Sequence, residues 1–466
     1  MLGEEKLPHC WTTARVAAIY KKKDPALPEN YRPISLLAVG YKIYAAALLA
    51  RLKAAGAEER VWPTQFGFRS KHGTADALFV ARRILDQVSA QRDGAVAFLA
   101  LDWSKAFDRV APHSMAYALR RFGVPEPFVD MVSAIYADRA FVVRDGGHTS
   151  NEHVQAFGIA QGCPLSPFLF IILMTVLLTD AKAQLLEQGY ELDMGLQVHE
   201  LLYADDTLLL GIDSNCLAAY MLSIHNIGKC YGLELNWDKL ESISVGGATP
   251  ISMPGGGVVK RKDNMIYLGS MLDGAATMTS ELSRRVGMAR ADFNSLKRVW
   301  KHANISKCSK LKIFEVCVLS KLLYGMQVGW LTAAGRRRLD GLQARCIRNI
   351  MGVLPSHLSR VSNASVLELA RARKLSTILL ERQLLYLGRT ARLPAHSPIR
   401  KAIFVGNTLE LRSSPGKRRV GRPRQTWADE VFKRAVQIAG TRGALDTLLL
   451  DEAAWRTTVR EGLHRT

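Results

Sequence analysis

Three aspartates carry the chemistry that matters most in this chain. Asp102 ends the apolar run AVAFLAL (95–101), the pattern of a buried strand that delivers a carboxylate at its tip. Asp205 and Asp206 stand side by side in HELLYADDTLLLG (199–211), two apolar arms around a polar centre, which predicts a β-hairpin with both acids at its turn. Nearby carboxylates in a poorly solvated place either rise in pKa or hold a cation. A divalent ion relieves the repulsion, and hard oxygen ligands suit Mg²⁺ with its retained waters and phosphates. A strand-end Asp beside a hairpin Asp then suits two-metal, in-line phosphoryl transfer. The competing reading is that Asp205 and Asp206 are turn residues, which an isolated Asp-Asp pair would favour.

The elements that must position these acids follow from pattern and punctuation. KKKDPALPENYRP (21–33) reads as a loop, and ISLLAVGYKIYAAALLARLKAA (34–55) as a helix packed on one face. Residues 111–135 predict helix broken at VPEP (124–127), and 140–159 two strands joined at Asp145-Gly146-Gly147. QGCPLSP (161–167) precedes the most apolar run, 168–178, with Ser166 placed to cap a helix and Pro167 to open it. That run has eleven residues, short of the about 20 that a bilayer needs, so a buried helix is expected and no membrane partner. Residues 214–233 predict an amphipathic helix and 267–272 a short strand. Beyond 280, helical Arg-rich patterns dominate. GGATPISMPGGG (246–257) and SSPGKRRVGRPR (413–424) read as linkers.

Composition bounds the rest. The 466 residues predict about three domains at roughly 150 residues each. At 48% hydrophobic and 23% charged, a wholly disordered or fibrous chain is excluded. The net charge of +21 points to a polyanionic partner, and it is unevenly held. Residues 284–466 have 36 basic and 12 acidic side chains, +24, whereas residues 1–283 sum to −3. Seven scattered cysteines form no CxxC pair, against a zinc knuckle or disulfide framework and in favour of a reducing compartment. The N-terminus lacks an apolar run, so the expected location is nuclear or cytoplasmic, not secreted and not membrane.

The order of motifs resembles the reverse transcriptases of non-LTR (LINE-type) retrotransposons. NYRPISLL (30–37), QFGFRSKHGTADAL (65–78), LDWSKAFDRV (101–110), QGCPLSPFLF (161–170) and YADD (203–206) stand in that family's order and spacing. LELNWDKLES (233–242) and YLGSML (267–272) follow where the family has its later palm motifs. The likeness is close over residues 11–275 and looser to about 350. It implies an α+β right-hand polymerase fold: fingers 1–98, a palm 99–278 with the catalytic carboxylates, a helical thumb 279–355 and a basic C-terminal nucleic-acid-binding region 356–466. It also implies an RNA-directed DNA polymerase that extends a primer 3′-hydroxyl with dNTPs. The implied partners are an RNA template and a DNA primer, and the implied cofactor is two Mg²⁺ ions, with Mn²⁺ as the substitute. Oligomeric state is left open.

The resemblance also assigns roles. Asp102 and Asp205 look like the metal-binding carboxylates, Asp206 like the third acidic member, and the backbone carbonyl of Trp103 like a further metal contact. Phe107, five residues after Asp102, matches the steric gate, where a bulky ring clashes with a 2′-hydroxyl; alone it would read as a core aromatic. Gln161 and Gly162 match the motif beneath the incoming nucleotide and template base, the glycine allowing a close backbone approach. Lys21, Lys22, Lys23 and Arg32 resemble the residues that grip the triphosphate, Lys22 and Arg32 foremost, although a lysine run reads equally as a solvated loop. Lys239 sits where the family often has a lysine proposed to protonate pyrophosphate; its bland reading is ordinary surface chemistry. Arg69 and Lys71 resemble the template-contacting segment. Tyr203 would flank the primer terminus, with Ala204 small enough to let the strand pass. Viral RNA polymerases more often have Gly-Asp-Asp at this hairpin, so the tetrad here favours DNA synthesis.

Departures from the family set the alternative. The chain begins at the first fingers motif, so the N-terminal endonuclease of full-length relatives is expected to be lacking. The Cys-His knuckle and a ribonuclease H cluster are not evident either. These features leave a catalytically inactive nucleic-acid-binding relic as the second hypothesis, opposed by the intact Asp102, Gln161, Gly162, Asp205 and Asp206. GKRRVGRPRQTW (416–427) has a Gly-Arg-Pro core reminiscent of an AT-hook, although such short cores recur by chance.

Overall fold

The computed structural model of the chain describes residues 7–21, 24–192, 198–413, 416–421 and 424–464. Lys22 and Lys23 lie outside the described residues, as do Arg422 and Pro423 of the Gly-Arg-Pro core. The architecture is α+β, as expected from the sequence. It divides into two compact units, one of Met1–Gly73, Ala97–Ser242 and Thr249–Arg261, the other of Thr74–Val96, Ile243–Ala248 and Lys262–Thr466.

The first unit is organised by two sheets. One has strand order β2–β1–β4–β5, from β1 (Thr13–Tyr20), β2 (Tyr31–Leu36), β4 (Ala140–Asp145) and β5 (His148–Thr149), with β6 (His153–Val154) also paired to β4. The other has order β10–β9–β3–β8–β7, from β3 (Val96–Leu101), β7 (Glu200–Tyr203), β8 (Asp206–Gly211), β9 (Glu241–Val245) and β10 (Lys260–Arg261). β3 is buried from Val96 to Leu99 without alternation, because a central strand covered on both faces reads as a continuous apolar run. The predicted helix over 34–55 begins only at Val39, since residues 31–36 pair antiparallel with β1. Short apolar runs do not distinguish strand from helix, and Pro33 is tolerated because β2 is an edge.

Helix Ser166–Glu187 packs against helices Pro112–Phe122 and Ser214–Cys230. Its 22 residues are long and apolar enough to cross a bilayer, yet Phe168 through Met174 are all within 1% of complete burial, so it is a core helix of this unit. Ser166 is the first helical residue, not the cap, and its hydroxyl pairs with Tyr136 (Oγ to the phenol oxygen, 2.9 Å). Residues 251–259 are no loose linker: Val259 N donates to Ile251 O and Met253 N to Gly257 O, closing a tight hairpin-like turn.

The second unit is mostly helical. Its hairpin of β11 (Asn264–Tyr267) and β12 (Ser270–Asp273) turns at Leu268 and Gly269, both at positive φ (44° and 70°). The sequence predicts a short strand over 267–272 and hides the turn, because Leu is rare at such a position. Ser306, Thr332, Ser362, Thr426 and Thr441 each cap a helix by accepting a backbone N–H within its first turn. The core runs from Met278, Leu282 and Val286 through Phe314, Leu339 and Ile347 to Leu375 and Leu379, so the C-terminal stretch is packed into the unit.

Candidate active site

Asp102 follows directly on the end of β3, and Asp205 occupies the two-residue turn between β7 and β8. Because β3 and β8 pair antiparallel, with Leu101 opposite Thr207, the strand tip and the hairpin turn fall at the same end of the sheet. A cleft of about 1040 Å³ is lined by Lys21, Arg32, Asp102, Trp103, Phe107, Gln161, Asp205 and Lys239, together with Asp108. The folding of β1 and β2 thus delivers Lys21 and Arg32 to the same cleft as the acids. Asp206, Tyr203, Gly162, Arg69 and Lys71 do not line it.

The cleft is electrostatically strained at its acids. Burial pushes the Asp205 carboxyl above its ordinary pKa, as does the Asp102 charge, while Arg32 pulls it back. Asp206 is pushed up to about 6. Its residue surface is exposed, but the protein mass around it and the Asp205 and Asp102 charges disfavour ionisation. Lys239 Nζ lies 2.8 Å from Asp102 Oδ2, a contact between two substantially exposed groups. Among the described residues, no cluster of three or more His, Cys, Asp or Glu side chains is assembled as a ready cage. The donor set nevertheless fits Mg²⁺: hard, mutually repelling carboxylate oxygens at the cleft, with Lys21, Arg32, Lys105 and Lys239 as the cations among its described lining.

Other predicted residues acquire definite surroundings. The Phe107 ring stacks on Phe170 at 4.6 Å between centroids and meets Phe68 edge-on at 6.3 Å, so it is both anchored in the core and part of the cleft wall. Gln161 Nε2 donates to Asp108 Oδ1 at 3.2 Å, which fixes the amide. Gly162, at φ 132°, is required by backbone crowding: a Cβ would meet Ser35 O at 2.4 Å. The close approach here is therefore to β2. The buried indole of Trp103 donates from Nε1 to Thr207 Oγ1 at 3.4 Å. Arg69 turns inward, its Nη1 donating to Gln65 O at 3.2 Å, and desolvation lowers its pKa. Lys71 is exposed and sits at φ 60°.

Two residues escaped the sequence reading. Asp108 belongs to the LDWSKAFDRV motif, but no pattern marks it as the partner of Gln161. Gln65 holds the hairpin turn through its side chain, an interaction between motifs about 140 residues apart that spacing cannot reveal.

The reverse transcriptase (RNA-dependent DNA polymerase) family profile matches residues 20–272, more than half of the chain, including Asp102, Asp205 and the other site residues that line the cleft. The chain belongs to the reverse transcriptase family. It is 30% identical over 355 residues to the retrovirus-related Pol polyprotein from type-1 retrotransposable element R2 of Popillia japonica, spanning 72% of this chain and 47% of that protein. It is 27% identical over 362 residues to the RNA-directed DNA polymerase from mobile element jockey of Drosophila melanogaster, spanning 74% of this chain and 38% of that one. Its relatives thus lie among the non-LTR retrotransposon enzymes, and the chain spans less than half the length of those it matches. A solved telomerase from Candida tropicalis aligns over 83% of this chain and 62% of its own, with a TM-score of 0.43 and 12% identity. That likeness is too distant to add to the assignment.

Proposed function

We propose that the chain extends a primer 3′-hydroxyl with dNTPs on an RNA template, and that the cleft holding Asp102 and Asp205 is its catalytic centre. The single observation that carries this reading is the convergence of two carboxylates, Arg32, Phe107 and Gln161 on one cleft, within a chain of the reverse transcriptase family. Asp102 and Asp205, with Asp206 and the Trp103 carbonyl beside them, would hold divalent ions. When bound, the ions supply activation of the primer hydroxyl and neutralisation of the leaving pyrophosphate.

The chain's own residues do the remaining work. Arg32 offers charge-assisted hydrogen bonds to the triphosphate; Lys22 has the same proposed role. Gln161, fixed by Asp108, orients the nucleotide from below, beside Gly162. Phe107, buttressed by Phe170, presents its edge where a 2′-hydroxyl would lie. Lys239 neutralises Asp102 until substrate arrives and is then free to give a proton to pyrophosphate. Tyr203 flanks the primer end, and exposed Lys71 contacts the template, while Arg69 serves that segment from within, through its hydrogen bond to Gln65 O. Residues 1–98, 99–278 and 279–355 act as fingers, palm and thumb, and 356–466 as a nucleic-acid-binding region. Primer extension by the purified chain on an RNA template with Mg²⁺ and dNTPs tests the reading. Template-dependent products are expected, and binding of primer–template with no extension at any metal concentration would leave the inactive relic instead.

A further inference from the structure

The catalytic turn is held from outside its own hairpin. Residues 64–66 run parallel to β7 at its edge: Leu202 N donates to Thr64 O at 3.0 Å and Phe66 N to Leu202 O at 2.9 Å. Backbone pairing stops at that point, and a side chain takes over. Gln65 Oε1 accepts from Ala204 N at 2.9 Å and from Gly67 N at 2.8 Å, while Gln65 Nε2 donates to Ala204 O at 3.1 Å. One carboxamide thus satisfies both backbone groups of Ala204, as a neighbouring strand would. Gln65 is 1% exposed and Ala204 5%, so water cannot substitute for it.

The turn needs such a hold. Ala204 occupies the first central position of the turn at φ 59°, a left-handed conformation that favours glycine. Gly67 makes the approach feasible, because a Cβ there would sit 2.4 Å from Ala204 N. We propose that Gln65 is a positioning residue for the reaction: its amide fixes the Ala204 peptide and thereby the direction in which Asp205 projects into the cleft. Gln65 touches neither substrate nor cleft, and this role rests on the polymerase reading above.

Three substitutions separate positioning from packing. Gln65→Met keeps the volume and removes both hydrogen-bonding functions. Gln65→Glu keeps the shape and the acceptor but places an oxygen against Ala204 O. Gly67→Ala pushes a methyl into the Ala204 peptide. Each folded variant is expected to lose single-nucleotide kcat by about tenfold to a hundredfold, as sub-ångström misplacement of a reacting group does. KM for dNTP and primer–template Kd should stay within about threefold, since the binding surfaces are untouched. Amide hydrogen exchange should quicken in the peptide covering 200–207 and at Gly67, which loses the same acceptor, and not elsewhere in the unit. Adding Ala204→Gly to Gln65→Met should recover part of the lost kcat, because glycine adopts the turn unaided. Unchanged exchange at 200–207, or a kcat per folded molecule equal to the parent's, overturns the proposal. A parent chain that never extends a primer overturns the polymerase reading alone, and the exchange measurement then decides the clamp by itself.

Discussion

The two units handle charge in opposite ways. In the first, burial and mutual repulsion raise Asp205 and Asp206 above their ordinary range even though Lys21, Arg32, Lys105 and Lys239 line the cleft beside Asp205. In the second, cations are abundant, but several are turned inward and bound by backbone. Arg348 donates to Leu354 O, Val361 O and Asn363 Oδ1, and Arg400 to the carbonyls of Ala391, Gly406, Asn407 and Thr408. Glu281 is fully buried between Arg284 and Arg285; burial alone would raise its pKa, but their hydrogen bonds hold it low. Desolvation brings Arg82 down to about 10. On the proposed function, unrelieved charge falls at the substrate site, whereas compensated charge holds the architecture together. The +24 of residues 284–466 therefore overstates what is available to a phosphate backbone.

The largest effect should come from the unrelieved side. Asp205→Asn keeps the shape of the side chain and removes its charge, so extension should fall by about 10³-fold or more while primer–template binding changes little. Extension equal to the parent's in the same assay would end the metal assignment. On the compensated side, Asp76 is buried, accepting from Tyr386 at 2.7 Å and from both terminal nitrogens of Arg389 at 2.6 and 3.0 Å. Asp76→Ala strands a partly buried guanidinium and a buried phenol, for an expected loss of about 3 kcal/mol. Thermal unfolding of that unit should drop by roughly 6–12 °C. Cutting the chain after Gly352 should be worse, because Leu375 and Leu379 leave the core. If that truncated chain unfolds with the parent's midpoint, the C-terminal stretch is an appendage after all.

How much of this was legible in the sequence depends on the range of the interaction. Asp102 at a strand tip and Asp205 in a hairpin follow from local apolar runs, and the structure has both. The broken helix at 124–127 was equally local, with helices Pro112–Phe122 and Glu126–Tyr136 either side. What failed was either conformationally ambiguous or non-local. Residues 34–36 joined β2 because β1 was there to pair with, and YLGSML folded back at a Leu-Gly turn that lacks the usual Asn or Asp. Gln65 and Asp108 act through partners far away in the chain, and a single sequence has no term for that. The inward-facing arginines were illegible for the same reason: charge counts do not say which cations cap carbonyls.

Phe107 tests whether a residue can serve architecture and substrate at once. Stacked on Phe170 yet lining the cleft, it should give two separable effects on change to Val. The dNTP-over-rNTP ratio of kcat/KM should fall by about tenfold, about 1.4 kcal/mol, as space opens beside the 2′-carbon. Stability should fall by about 1–3 kcal/mol from the lost ring contacts. A stability loss with an unchanged ratio would make Phe107 purely a core residue.

The smallest expected effect bears most directly on the contrast between the units. Arg418 and Arg419 are exposed, and the strap that carries them is pinned by Arg92 N donating to Lys417 O at 2.9 Å and Arg419 N to Ala90 O at 3.0 Å. The pinning uses backbone, so both side chains can change without loosening it. Each phosphate contact contributes about −0.7 to the slope of log K against log salt on a single strand. Replacing both arginines by Ala should therefore flatten the slope for RNA by about 1.4 if both meet phosphate, and leave the unfolding midpoint almost unmoved. Arg400→Ala is the matched opposite: it removes the same formal charge from a guanidinium bound to four carbonyls, so the midpoint should fall and the slope should not change. Equal slopes for the double variant and the parent would show that the exposed cations here do not meet phosphate. A flattened slope for Arg400→Ala in the folded protein would break the division between compensated and available charge.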